Sequence, residues 1–255
     1  MNTWIYEEPA AFANVVSGFS ITLIGMFLVV LNRCLHGFFP SQPLRWQALY
    51  ISLLVTGIPT GLYHGWGETP LLRTIDLGSN TVLAWISLYA VAHHRRLSPH
   101  LYFIVWTFFG LNICAIAGRF LSSGDLAFLE FRDWGGFFLS EVLLVAQGIF
   151  TVVVHLINFS TLPAPAKPLC LFSISIFVGS MILATASNQQ IIWDLLPIHA
   201  LWHFTGALAF LSLWMLNFVR FSVIPERSCL RSQELSLEPD RSSPPAVESS
   251  ENSSN

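Results

Sequence analysis

The chain has 255 residues, of which 53% are hydrophobic, 14% aromatic and only 11% charged, with a formal net charge of −3. A soluble domain carries roughly 25% charged residues. With a mean hydropathy of +0.60, the composition excludes a soluble globular enzyme, a nucleic-acid binder and a disordered protein, and points to an all-α, polytopic membrane protein. The first ten residues, MNTWIYEEPA, hold Glu7 and Glu8 but no Lys or Arg. A signal peptide wants a positive start, so the first apolar segment is expected to remain as a true span.

A bilayer core about 30 Å thick needs roughly 20 apolar residues in helical form. Taken in chain order, runs of that kind predict seven transmembrane helices, over residues 11–32, 46–65, 76–94, 101–119, 137–157, 168–186 and 198–221. No internal repeat is present, which disfavours a transporter built from duplicated halves. Seven spans put the termini on opposite sides. Arg73, Arg119 and Arg132 then fall on the N-terminal side and the other nine cationic residues on the C-terminal side. The positive-inside rule predicts a cytoplasmic C-terminus and an outside or lumenal N-terminus. After Val223 the chain turns rich in Ser, Pro and Glu. Residues 1–223 are expected to form the membrane domain and 224–255 a disordered tail. Cys34, Cys114, Cys170 and Cys229 show no C-x-x-C spacing, so they indicate neither a zinc finger nor a redox compartment.

Ionisable residues inside spans are costly and usually mark function. Here they are His64, Asp76, Glu141, His155, His199 and His203, with His93 and His94 beside Arg95 and Arg96 at a span end. His199 and His203 are four residues apart and project from one helix face, a spacing that can hold one metal ion. Alone, H-x-x-x-H is common, and the pair reads more readily as two interfacial histidines without a metal. Topology adds His64, at the outer end of span two, and Asp76, at the outer start of span three. Four residues from three span ends thus share one membrane depth. Three neutral imidazoles with an open position suit a catalytic zinc, and a carboxylate beside them suits a general base. A plainer reading makes Asp76 an N-cap, with Thr74 as another candidate. Thr60 precedes His64 by four residues, so its hydroxyl can serve an oxyanion or bond its own helix backbone. Spacing alone favours the backbone bond.

GLYH at 61–64, Asp76 and HALWHFTGA at 199–207 together resemble the alkaline ceramidase family, part of a superfamily of seven-span metal hydrolases. The H-A-x-W-H-x-x-T-G stretch is the specific part, NVVSG at 14–18 resembles the stretch that opens the family's first span, and the likeness runs from about residue 8 to 220. It implies zinc held by His64, His199 and His203, Asp76 activating a water, a site that opens within the membrane, and hydrolysis of the amide bond of ceramide to a sphingoid base and a fatty acid. Two positions depart from the family. Its serine is Thr60 here, which keeps the hydroxyl and adds a methyl. Its calcium-binding glutamate, three residues before the asparagine, is Ala11 here, so no complete calcium site is expected. The alternatives are a related hydrolase of another lipid acyl bond, an inactive member, and a non-enzymatic seven-span lipid receptor. The receptors lack the Trp between the two histidines.

Overall fold

The computed structural model describes residues 9–35, 44–66, 69–92, 99–121, 139–188 and 198–237. Among them are seven α-helices: α1 (Pro9–Cys34), α2 (Leu44–Trp66), α3 (Pro70–Ala92), α4 (Pro99–Leu121), α5 (Leu139–Asn158), α6 (Ala166–Asn188) and α7 (Ile198–Leu237). There is no strand among the described residues. Three helices open on proline, whose missing N–H costs nothing at a first helical position and whose φ is already helical. A short 3₁₀ turn, Phe159–Thr161, joins α5 to the Pro163–Pro165 stretch before α6.

The helices follow the seven expected apolar runs, with shifted ends. α3 begins at Pro70 rather than 76, because Thr69 caps it. The Thr69 hydroxyl accepts from the Leu72 N–H at 3.3 Å and its carbonyl from the Arg73 N–H at 3.0 Å. Asp76 and Thr74 therefore lie inside the helix, and neither is its cap. α7 continues past Val223, through Pro225, to Leu237. Residues 238–255, and with them the rest of the expected tail, lie outside the described residues.

Six helices are long and apolar enough to cross a bilayer, the pattern of a multi-pass membrane protein: α1, α3, α4, α5, α6 and α7. α2 has 23 residues but carries Thr56, Thr60, Gly57, Gly61 and His64 in its run. Its buried residues, from Trp46 through Leu49, Leu53, Thr56 and Thr60 to Tyr63, recur at helical spacing. α2 thus belongs to the inside of the bundle, packed between α1 and α3.

The packing pairs close a ring in the order α1, α2, α3, α5, α6, α7 and back to α1, with α4 outside against α3 and α5. α1 and α2 make the tightest seam. A Cβ on Gly57 would collide with the Thr22 backbone nitrogen, and one on Gly25 with that of Leu54. Small residues let membrane helices approach this closely, and the Thr22 hydroxyl then donates across the seam to the Leu54 carbonyl at 3.2 Å. α4 is pinned by a buried amide pair, in which Asn112 and Gln147 each donate to the other at 2.9 and 3.2 Å. α5 and α6 touch only weakly.

Candidate functional site

The ring brings the end of α2 and the start of α7 together at one end of the bundle. His64 comes from the last turn of α2, and His199 and His203 come from the first two turns of α7. One ring nitrogen from each lies within 4.8 Å of the others. His64 Nε2 and His199 Nε2 are 3.0 Å apart, a distance that requires at least one of them to present a bare lone pair. The rings meet edge-on or tilted, with centroids 4.6–5.2 Å apart. At zinc–nitrogen distances of about 2.0–2.1 Å, tetrahedral ligand nitrogens stand about 3.4 Å from one another. The three imidazoles fit such an ion with small side-chain adjustment.

α1 orients the third histidine. His203 is buried, and its Nδ1 lies 3.1 Å from Ser17 Oγ. Ser17 in turn donates to the Asn14 carbonyl at 2.9 Å. Its proton is used there, so Ser17 accepts from His203 Nδ1–H, which leaves Nε2 facing the other two histidines. A ligand histidine whose second nitrogen is fixed in this way keeps its tautomer and ring orientation. The expected site residues omitted Ser17. It lies 186 positions from His203, and no local spacing links the two.

Asp76, in the second turn of α3, is held by two side chains at one oxygen. Its Oδ1 accepts from the Thr60 hydroxyl at 2.5 Å and from Asn80 Nδ2 at 3.1 Å. Oδ2 has no hydrogen bond among the described residues and remains available to a proton. Thr60 is fully buried, and its hydroxyl also lies 3.0 Å from the Thr56 carbonyl. The backbone bond that spacing favours for Thr60 is thus present. The hydroxyl has the Asp76 carboxylate as its second partner. Asn80, also unassigned from the sequence, was legible as the residue four beyond Asp76 on the same face.

Asp76 and His199 line a common cavity of about 140 Å³, with Arg73, Glu141 and Trp202 around them. Leu144, Met181 and Trp202 also border a second cavity of about 90 Å³ in the middle of the ring, which reaches His203 and Asn80. A third groove, of about 490 Å³, runs between α5 and α6 and is apolar except for Thr185. Gly148, Phe177 and Met181 line both this groove and the central cavity. A single layer of side chains separates the two spaces.

His155 stands apart from the triad, late in α5, where Nδ1–H donates to the Thr151 carbonyl at 2.9 Å. His93 and His94 lie outside the described residues. No protein-family model matches the chain, and no curated protein matches it.

Proposed function

We propose that the chain is a zinc-dependent lipid amidohydrolase that cleaves the N-acyl bond of ceramide. The observation that carries this reading is the convergence of His64, from α2, with His199 and His203, from α7, beside a cavity lined by Asp76. A zinc ion in that position supplies Lewis-acid activation of an acyl carbonyl and of a water. The three histidines hold it, and Ser17 keeps His203 in the ligating tautomer. Asp76 takes the proton of the attacking water on Oδ2 and returns it to the leaving amine. Thr60 and Asn80 orient Asp76 through Oδ1. Thr60 is thus a positioning residue, and its extra methyl points the family's substitution toward carboxylate placement rather than substrate fit.

The surroundings support a lipid substrate. The central cavity is mostly apolar, and the groove between α5 and α6 offers an acyl chain a way in from the side. The nine-to-three distribution of cationic residues supports a C-terminus in the cytoplasm, with the metal end of the bundle on the opposite face.

The test is a metal analysis of purified protein together with turnover of a lipid panel. One zinc per chain and release of fatty acid from ceramide are expected. A phospholipid ester cleaved in preference to ceramide would keep the centre and change the substrate. A metal-free protein without hydrolase activity would overturn the reading.

A further inference from the structure

At the end of the bundle away from the histidines, the interior turns polar again. The seam between α1 and α2 is antiparallel, with Gly18 beside Gly61 and Gly25 beside Leu54. This register places Asn32, late in α1, level with Trp46 at the start of α2. Asn217 of α7 reaches the same level, donating to the Tyr50 hydroxyl at 3.4 Å. Arg220 follows Asn217 by three residues, on the same helix face.

Arg220 is only 6% exposed. The Asn217–Tyr50 bond brings the start of α2, with Arg45 and Trp46 a turn before Tyr50, to the level of Arg220. Arg45 is half-buried, but Arg220 is held away from water, where a charge is costly unless something offsets it. Among the described residues no carboxylate does so. The other charged or titratable neighbours of Arg220 are Cys170 and His155, and Arg45 faces Tyr89. The Phe221 ring, 5.5 Å from the Arg220 guanidinium carbon, covers one face of it and uses none of its N–H groups. Among the described residues Arg220 Nη2, Arg45 Nε and Trp46 Nε1 are buried with no acceptor, and Asn32 Oδ1 and Asn217 Oδ1 at the same level are buried with no donor.

We infer that Arg45, Trp46 and Arg220 form a binding site for a phosphate group, carried on a lipid headgroup in the leaflet at this end of the bundle. The cluster supplies what a phosphate needs: two positive charges and several N–H donors from two helices. Guanidinium groups match phosphate oxygens in a planar, two-bond geometry. Basic pockets between membrane helices near the bilayer boundary are suited to phospholipid headgroups. From residue 203 to residue 220, α7 rises about 25 Å at 1.5 Å per residue. The occupant is therefore separate from anything bound at the histidine centre, and the site stands whether or not that centre hydrolyses ceramide.

The experiment is thermal unfolding of the purified full chain in detergent, titrated with dioleoyl phosphatidic acid, dioleoylglycerol or inorganic phosphate. Phosphatidic acid should raise Tm saturably, by roughly 5 °C at about a hundred-fold excess over Kd. Dioleoylglycerol, with the same chains and no phosphate, should not. Arg220→Gln and Arg45→Gln should each abolish the shift, and His199→Ala should retain it. A shift from inorganic phosphate alone would support the same anion site with a soluble occupant. The inference is overturned if dioleoylglycerol stabilises the wild-type protein as much as phosphatidic acid, or if neither phosphate compound stabilises it. These wild-type comparisons decide the matter even where a glutamine variant does not fold. A full shift retained in both glutamine variants would equally overturn it.

Discussion

Asp76 has one oxygen held and the other open, and this asymmetry separates its chemistry from its structural role. Asparagine at this position retains an acceptor for Thr60 but is a poor base. Asp76→Asn should therefore fold, keep its zinc and lose about 10²–10⁴-fold in kcat on ceramide. Turnover within a few-fold of wild type would move the base elsewhere, with Glu141, on the same cavity, the next candidate. Ser17 makes a different prediction because it touches His203, a proposed ligand, and not the substrate. Ser17→Ala frees the His203 ring, and zinc affinity should fall by about 10–100-fold in a competition with a chelator. At saturating zinc most of the activity should return. A loss that zinc does not restore would assign Ser17 a role beyond orienting His203.

The seam between α1 and α2 is the element on which the centre depends. α1 carries Ser17, α2 carries Thr60 and His64, and their separation is set where Gly57 meets the backbone of Thr22. The obstacle there is backbone, which cannot rotate aside. Gly57→Val should cost about 1–3 kcal/mol of stability through overpacking, measured as a lower unfolding midpoint, and should weaken zinc binding through displaced His64. Gly110 and Gly179 have nothing within 4 Å of an added Cβ. Substitution to alanine at either should leave both properties unchanged, which makes these positions the internal controls.

At the scale of the whole molecule, a metal at the histidines would tie α2 to α7 at one end of the bundle, while the Asn217–Tyr50 bond links them toward the other. α1 contacts both α2 and α7, and the histidines close the ring at one end. Removing zinc should loosen that end without unfolding the rest. A chelator should lower Tm by several degrees in wild type and have no effect in His64→Ala, since binding to the folded state alone is what stabilises. A chelator effect of equal size in His64→Ala would place the metal elsewhere. The polar cluster of Arg45 and Arg220 sits at the opposite end, so the two ends should respond independently.

Much of the fold was legible in the sequence. Hydrophobic helices in a membrane must satisfy their backbone within the segment, so apolar run length predicts spans without tertiary information. The three histidines and Asp76 were legible because short loops and alternating direction fix the depth of each span end. The cap of α3 was not, because Thr69, Thr74 and Asp76 are all acceptable caps by residue type and only the path of the chain chose Thr69. The Ser17–His203 and Thr60–Asp76 bonds were not legible either, although NVVSG had marked the stretch that holds Ser17, because they depend on which helices face each other and at what rotation. The same holds for the central cavity and the approach of Arg45 to Arg220. Depth is a property of one helix in a bilayer and can be counted along the chain. Neighbourhood is a property of the packed ring, and here the glycine seam, the weak contact of α5 with α6 and the exclusion of α4 decided it.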